Sequence, residues 1–169
     1  MKTTAIFTIG HSNSDVSTFL KLLKDNSIQV VVDVRSAPYS RYVPQFNKKE
    51  IESALTAAGF KYIFMGDAIG GKPTDQQFIG LNGKVNYGKL AESEKFQLGL
   101  NRLSRGIHDN WLIVLMCAEE DPFKCHRHLL IANELELNRN VSVWHIRSDG
   151  SRIRAKKHLE EYNGQLRLF

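Results

Sequence analysis

The sequence predicts a single α/β domain with a mainly parallel sheet of about five strands flanked by helices. Short continuous apolar runs recur along the chain, and segments with apolar residues at helical spacing separate them. The chain has 169 residues, of which 42% are apolar and 24% charged, so it is neither largely disordered nor fibrous. A chain of this length buries roughly two-thirds of its unfolded surface, which gives it one sizeable core.

The first segments alternate strand and helix. The apolar run 5–9, closed by Gly10, predicts the first strand, and the β-branched run 28–34 predicts a buried second strand. Between them, apolar residues at helical spacing predict a helix over 15–25 with Ser14 as its N-cap.

The pattern then repeats. A helix is expected between Asn47, as N-cap, and Gly59, which is typical of a helix end, and a third strand over 61–65 follows. A glycine-rich loop spans 66–83 and has Gly70 and Gly71 at its centre.

The last predicted elements continue the alternation to residue 146. A helix is expected over about 91–107, followed by the most apolar strand of the chain at 111–116. The dipeptide Asp121-Pro122 is typical of an N-cap and first helical residue, which predicts a helix from there to about residue 137. The last strand is expected at 141–146.

Charge, cysteine content and hydropathy limit the classes of protein. No apolar run approaches the roughly 20 residues that a membrane helix needs, and the apolar part of the N-terminus is too short for a secretory signal. We therefore expect a cytoplasmic protein without a membrane partner. The net charge of +5 and the pI of 9.2 mildly favour anionic partners.

Unusual polar residues follow the predicted strands at the points where the strands end. Because the carboxyl ends of parallel strands meet at one edge of the sheet, side chains from four distant segments are expected to converge there. The convergent set is His11, Ser12 and Asn13; Asp33 and Arg35; Cys117 and Glu119; and Cys125, His126 and Arg127.

This set predicts a pocket for a nucleotide, base or phosphate. In an enzyme, two arginines would hold an anionic group and acidic or imidazole side chains would move protons, whereas Cys117 would be either a nucleophile or a pocket wall. The candidate catalytic residues are Cys117, His126, Asp33 and Glu119. The candidate ligand- or anion-binding residues are His11, Ser12, Asn13, Arg35, Cys125 and Arg127.

The two cysteines allow several interpretations. Cys125 has Lys124, His126 and Arg127 as neighbours, which favour a thiolate. Seven residues separate Cys117 from Cys125, which is not the spacing of a zinc knuckle. A redox pair and a metal site completed by His126 and His11 remain open, but a pocket that packs these residues or holds an anion is the favoured interpretation, with no metal and with any cofactor unknown.

The loop over 36–46 mixes aromatic and basic residues. Such a mixture suits stacking on a base together with a phosphate contact, and it equally suits a packed surface loop. The residues concerned are Pro38, Tyr39, Arg41, Tyr42, Pro44 and Phe46.

Taken together, these blocks resemble the signature of the domain of unknown function 488 family over about residues 4–150. The matching segments are Thr8-Ile9-Gly10-His11-Ser12, Asp33-Val34-Arg35 with Pro38, Gly70-Gly71, Cys117-Ala118-Glu119 and Cys125-His126-Arg127. The resemblance implies the α/β fold and a pocket at these residues, and it leaves the reaction open.

The segment 31–35 with Pro38, and a cysteine at the end of a buried strand, are also similar to rhodanese-like domains. The likeness fails after Cys117, where Glu119, Glu120 and Asp121 replace a compact loop of backbone N–H groups. Their charge is expected to raise the pKa of the thiol, which argues against sulfur transfer.

The C-terminus is expected to be a separate module. Residues 1–150 form the α/β domain, 151–163 a basic segment, and 164–169 a tail that resembles the peptide by which bacterial replication and repair proteins bind the sliding clamp. The tail residues that carry the resemblance are Gln165, Leu166, Leu168 and Phe169. Apolar side chains on a chain end suit an apolar groove on a partner, and the basic segment would then contact DNA phosphates.

Three functions follow as hypotheses. The first is a nucleotide- or phosphate-binding protein of DNA metabolism, either an enzyme or a nucleotide-handling factor, that binds the sliding clamp through its tail. The second is a cysteine-dependent enzyme of sulfur or phosphate ester chemistry, with Cys117 as nucleophile and Arg127 stabilising the developing charge. The third is a non-catalytic adaptor that binds nucleic acid.

Overall fold

A computed structural model describes residues 4–156 and contains one six-stranded sheet. The strands are β1 (Ala5–Gly10), β2 (Val30–Asp33), β3 (Lys61–Phe64), β4 (Ile113–Cys117), β5 (Ser142–Ile146) and β6 (Arg152–Arg154). Their spatial order is β3-β2-β4-β1-β5-β6, and every neighbouring pair is parallel except β5 and β6. The predicted α/β class and mainly parallel sheet are therefore confirmed.

Helices cover both faces of the sheet. The α-helices are α1 (Val16–Asp25), α2 (Lys48–Ala57), α3 (Gly66–Ile69), α4 (Tyr87–Ala91), α5 (Glu94–His108) and α6 (Asn133–Asn138). A π-helix, Arg127–Ala132, leads directly into α6, and short 3-10 turns lie at Pro44–Phe46, Gln76–Phe78 and Pro122–Lys124. None of the helices in residues 4–156 is long and apolar enough to cross a membrane.

Alternate residues of each strand pack against opposite layers, as the period of two requires. Val31 packs with side chains of α1 and α2 in one apolar cluster, and Val30 and Val32 pack with α5 and the 127–138 helical segment in the other. Both clusters are almost fully buried. This explains why the central strands are apolar without interruption.

Two local features differ from the sequence expectation. Helix α1 is capped by Asp15 and not by Ser14, because the Asp15 carboxylate accepts hydrogen bonds from Thr18 N at 2.8 Å and Thr18 Oγ1 at 2.9 Å. A carboxylate satisfies the free N–H groups and also carries a charge that suits the positive end of the helix.

The sheet also continues past residue 150, where a basic tail segment was expected to begin. Strand β6 pairs antiparallel with β5, and its Arg154 forms a salt bridge with Glu136 of α6, with Nε 2.9 Å from Oε1. Arg147 is paired in the same way with Glu120, at 2.7 Å between Nη2 and Oε2. Arg154 of the basic segment and Arg147 before that segment therefore have salt-bridge partners within the domain itself.

The chain order creates a crevice between β2 and β4. The loop after β2 leads to α2 on one face of the sheet, whereas the loop after β4 leads to the 127–138 helical segment on the other. Loops that leave neighbouring strands in opposite directions open a space at the carboxyl ends of those strands, where ligands of open α/β sheets bind.

Candidate functional site

A pocket of about 230 Å³ lies in this crevice, at the carboxyl ends of β2 and β4. We call it the rim pocket. Five of the residues predicted from the sequence line it: Arg35, Cys117, Glu119, Cys125 and His126. They come from the end of β2, the end of β4 and the segment that follows β4, so the parallel sheet brings Arg35 next to residues far along the chain.

The two cysteines and His126 form one compact group at this pocket. The sulfur atoms of Cys117 and Cys125 lie 3.3 Å apart, and Nδ1 of His126 lies 3.8 Å from the first sulfur and 3.7 Å from the second. All three residues are buried. We refer to them as the Cys-Cys-His cluster.

The backbone of Val34 determines which nitrogen of His126 carries the proton. Nε2 lies 3.1 Å from the Val34 carbonyl oxygen, which only accepts hydrogen bonds, so Nε2 carries the hydrogen and donates it. In the neutral ring Nδ1 then carries a lone pair and no hydrogen, and Nδ1 faces both sulfurs.

The two thiols differ in acidity. The hydrogen bond with Cys117, the backbone N–H of Arg127 and the Arg127 charge lower the pKa of Cys125 to about 7, despite burial. The same sulfur-sulfur hydrogen bond, together with burial, raises the pKa of Cys117 to about 12. Cys125 is therefore the sulfur that carries negative charge most readily.

The acidic residues after Cys117 were expected to raise the pKa of its thiol, but they are not the main cause of that rise. The pKa of Cys117 is raised, as expected, but the causes are the hydrogen bond to Cys125 and burial. Glu120 turns away to its bidentate pair with Arg147, and Asp121 caps the next turn by accepting from Phe123 N at 3.0 Å.

The segment after this loop is not the regular helix that the sequence predicts over 121–137. After the 3-10 turn Pro122–Lys124, Cys125 has extended backbone angles, with φ −118° and ψ 146°, and the π-helix begins only at Arg127. In a continuous helix, Cys125 would follow the helical spiral, whereas the extended residue lets its side chain join Cys117. Wide turns of this kind are frequent at functional sites.

Two glycines allow loops to approach this region closely. A Cβ atom on Gly10 would lie 1.7 Å from the carbonyl oxygen of Glu119, and one on Gly71 would lie 2.5 Å from Cγ of His126. Neither position has room for a side chain, so the loop after β4 rests on β1 and the glycine-rich loop rests on the imidazole.

Asp33, Arg35 and His11 form a buried network beside the pocket. Arg35 donates from Nε and Nη2 to the two carboxylate oxygens of Asp33, at 2.9 and 2.7 Å, and from Nη1 to Nε2 of His11 at 3.1 Å. Tyr62 donates to the same carboxylate at 2.7 Å. His11 donates from Nδ1 to the Ser12 carbonyl, which fixes it as a neutral ring.

This network is internal, although its residues were expected to handle protons or an anion. Burial, which outweighs the hydrogen bond to Ser12, lowers the pKa of His11 from 6.5 to about 4. Arg35 lines the pocket, yet its guanidinium donors reach Asp33, His11 and the Phe46 carbonyl.

Arg127 is also directed into the protein. Its guanidinium donates to Thr8 Oγ1 at 2.6 Å and to the carbonyl oxygens of Glu119 and Glu120, both at 2.8 Å. Among the described residues its Nε has no hydrogen-bond partner. Arg127 thus holds the loop after β4 in place and lends its charge to Cys125.

A chain of hydrogen-bonded side chains extends from Arg127 into the core. Thr8 Oγ1, which accepts from Arg127, also lies 2.7 Å from Nδ1 of His145. Nε2 of His145 lies 2.9 Å from Nδ1 of His128. No local pattern in the sequence predicts this chain of side chains, because its members are scattered over β1, β5 and the π-helix.

The loop after β1 contributes less to the rim pocket than the sequence predicts. Ser12 donates its backbone N–H to the Ala118 carbonyl at 2.8 Å and has a positive φ of 48°, and Asn13 is exposed. Neither residue lines the rim pocket. At the start of α1, the backbone N–H of Thr18 already donates to the Asp15 carboxylate, so it is not available to a bound anion.

Four further residues with polar side chains line the pocket and were missed: Ser36, Lys72, Tyr87 and Lys124. Lys124 was noted only as a neighbour of Cys125, and Lys72 follows Gly70-Gly71 directly, which is the signal that could have identified it. Ser36 Oγ accepts from Lys72 N at 3.0 Å and so joins the loop after β2 to the glycine-rich loop.

The loop over 36–46 is divided between core and surface. Phe46 is buried, and its ring stacks on His11 with 4.3 Å between centroids. Tyr39 and Tyr42 remain 76% and 78% exposed, and the Arg41 guanidinium lies 4.9 Å from the Tyr42 ring centroid. The predicted partner-binding residues Gln165, Leu166, Leu168 and Phe169 lie outside the described residues.

A scan against protein-family models matches residues 15–133 to the domain of unknown function DUF488. The match covers more than half of the chain and includes both cysteines of the cluster. The chain belongs to the DUF488 family. Neither a curated protein nor a solved structure matches this DUF488 chain.

Proposed function

We propose that this DUF488 protein is an enzyme of DNA metabolism whose rim pocket binds an anionic, phosphate-bearing ligand such as a nucleotide. The observation that carries the proposal is the meeting of reactive and cationic side chains in one pocket. The Cys-Cys-His cluster supplies sulfur and imidazole groups, and Lys72 and Lys124 supply positive charge.

The two lysines are the pocket's available cations. Arg35 and Arg127 have carboxylate, carbonyl and hydroxyl partners inside the protein, so an anion in the pocket would meet the ammonium groups first. Glu119 adds a negative charge to the same wall, which favours a ligand that also carries hydrogen-bond donors, as a nucleobase does. A phosphate with an attached base suits that combination.

The test compares ligand affinity in matched lysine variants. Lys72→Ala and Lys124→Ala should each weaken binding of a deoxynucleoside monophosphate roughly tenfold, the size of one lost charge-assisted hydrogen bond. Lys24→Ala is the control, because Lys24 is exposed and lies by the amino end of β2. Calorimetry that gives the same affinity for all three variants as for the parent chain would contradict the proposal.

A second candidate is a cysteine-dependent enzyme of sulfur or phosphate ester chemistry. Its support is the distance of 3.7 to 3.8 Å between the sulfurs and the unprotonated Nδ1 of His126, which suits a nucleophile beside a base. Labelling of the metal-free chain by a soluble electrophile tests it. Loss of rapid labelling in Cys125→Ser or in Cys117→Ser identifies the nucleophile, and equal labelling of both variants and the parent excludes it.

The sliding clamp is proposed as a partner on the sequence of the tail alone. A chain lacking residues 165–169 should lose binding to the clamp in a pull-down while its melting temperature stays nearly unchanged. A sharp fall in melting temperature would instead mean that Leu166, Leu168 and Phe169 pack on the domain.

A non-catalytic adaptor is the remaining hypothesis for the surface of the molecule. The exposed Tyr39 and Tyr42 beside Arg41 favour it, because aromatic and basic side chains together bind single-stranded nucleic acid. An adaptor would bind oligonucleotides with affinity that falls as salt rises, would lose it in Tyr39→Ala and Tyr42→Ala, and would turn over no ligand.

A further inference from the structure

We propose that Cys117, Cys125 and His126 bind one divalent transition-metal ion, with Zn²⁺ as the ion best suited to them, and that the fourth coordination position faces the rim pocket. This inference deepens the proposed function and rests on it in one respect, since the metal would be the reactive centre of the same pocket.

The distances within the Cys-Cys-His cluster are those of ligands around a single ion. With Zn–S bonds of about 2.3 Å and Zn–N bonds of about 2.0–2.1 Å, a tetrahedral site places sulfur and nitrogen roughly 3.5 Å apart and two sulfurs roughly 3.8 Å apart. The two sulfur–nitrogen distances, 3.7 and 3.8 Å, are a few tenths longer than this, and the sulfur–sulfur distance of 3.3 Å is a few tenths shorter. Shifts of a few tenths of an ångström that separate the sulfurs and bring them nearer to Nδ1 complete the geometry.

The surroundings of His126 prepare it as a ligand. Its Nε2 hydrogen is donated to the Val34 carbonyl, so Nδ1 is the nitrogen left for the metal. Metal-binding imidazoles almost always have such an outer partner, which fixes the ring and its tautomer. Gly71 passes directly over the ring, which further restricts its rotation.

The donor set selects the class of metal. Thiolate and imidazole together suit Zn²⁺ and related transition metals, and they do not suit Mg²⁺ or Ca²⁺, which take oxygen ligands. Two thiolates balance the charge of a divalent ion, which makes the ion tolerable at a buried site. Binding releases the thiol protons to solvent, so affinity should rise with pH.

Three protein ligands leave one position open. No further His, Cys, Asp or Glu of residues 4–156 belongs to this group of ligand atoms, which lie within 4.8 Å of one another. All three ligands line the rim pocket, so a water molecule or an oxygen of the anionic ligand has access to the fourth position. Three ligands with an open position are typical of catalytic zinc, whereas structural zinc has four protein ligands.

The experiment is a Co²⁺ titration of the reduced, metal-free full-length chain, followed by absorption spectroscopy. We expect one Co²⁺ per chain, a thiolate-to-metal charge-transfer band, four-coordinate ligand-field bands, and loss of the spectrum when Zn²⁺ is added. Cys117→Ser, Cys125→Ser and His126→Ala should each weaken Co²⁺ binding at least tenfold. His108→Ala is the control, because His108 is exposed on α5.

A second measurement needs no variant and stands even if the cysteine variants fail to fold. Zn²⁺ should protect both thiols of the unmutated chain from alkylation, as read by mass spectrometry. A missing charge-transfer band, equal Co²⁺ affinity in His126→Ala and His108→Ala, or alkylation that Zn²⁺ does not slow would each overturn the metal site.

A separate measurement tests whether the fourth coordination position of the metal is open to a ligand. A deoxynucleoside monophosphate should change the ligand-field bands of the Co²⁺ form, and unchanged bands at saturating ligand would overturn the open position. The Lys72→Ala and Lys124→Ala variants should keep the Co²⁺ spectrum and lose ligand affinity. Failure of the anion proposal is thereby distinguished from failure of the metal site.

Discussion

His11 is a histidine that the fold keeps neutral. It lies under Phe46, accepts a hydrogen bond from Arg35 and donates one to its neighbour Ser12, and burial lowers its pKa from 6.5 to about 4. A proton on Nε2 would remove the acceptor that Arg35 uses and would place two positive charges together. His11 therefore acts as a rigid support for Arg35.

This neutrality predicts how stability changes with pH. Below pH 6.5 the unfolded chain protonates His11 and the folded chain does not, so the free energy of unfolding falls until about pH 4, where the folded ring also takes up a proton. The contribution is up to about 1.4 kcal/mol per pH unit in that window.

Urea unfolding of the parent chain and of His11→Gln from pH 4 to 7 measures the effect. All other titrating groups are common to the two chains, so the difference between the two curves isolates His11. The parent chain should lose stability more steeply than the variant on acidification. Parallel curves would show that His11 binds its proton equally well in the folded and the unfolded chain, which would contradict the lowered pKa.

At the scale of elements, the close contact between β1 and the loop after β4 positions the site. Gly10 pairs with Cys117 in the sheet, and the Glu119 carbonyl lies where a Cβ atom on Gly10 would be. That carbonyl and its neighbour at Glu120 are also acceptors for Arg127. The loop is thus held between a glycine and a buried guanidinium.

Gly10→Ala should therefore destabilise the protein by about 1–3 kcal/mol, because the methyl group forces the loop away from the strand. Gly88→Ala on α4 is the matched control, since its Cβ atom would meet only Asn86 Oδ1, at 3.4 Å. Thermal unfolding compares the two variants. A melting temperature for Gly10→Ala as high as that of the control would contradict the close approach.

The elements also show what a sequence can predict here. The strands of the sheet up to residue 146 and their parallel arrangement followed from apolar runs and helical spacing, since both are local patterns. Strand β6 was missed because Arg152-Ile153-Arg154 has too few apolar residues to be distinguished from a basic tail. The interruption at Cys125 was missed because Asp121-Pro122 starts a 3-10 turn and an α-helix equally well.

For the whole molecule, the convergence of strand ends was the strongest prediction from sequence. It placed Cys117, Glu119, Cys125 and His126 together at one pocket, as the structure has them. It could not tell which polar groups face solvent and which face each other, because that depends on side-chain direction. The internal hydrogen bonds of Asp33 and Arg127 could not be predicted for this reason. Lys72 was missed because it enters the pocket from a loop without a periodic pattern.

The proposed ligand site lies at one edge of the sheet, and amide chemical-shift mapping locates bound ligand most directly. On titration of the ¹⁵N-labelled chain with a deoxynucleoside monophosphate, the shifts should concentrate at Gly71, Lys72, Ala118 and Cys125, which line the rim pocket. Amides at the opposite edge, such as Ser27 and Lys61, should stay in place. Shifts confined to that opposite edge, or absent at millimolar ligand, would contradict the account.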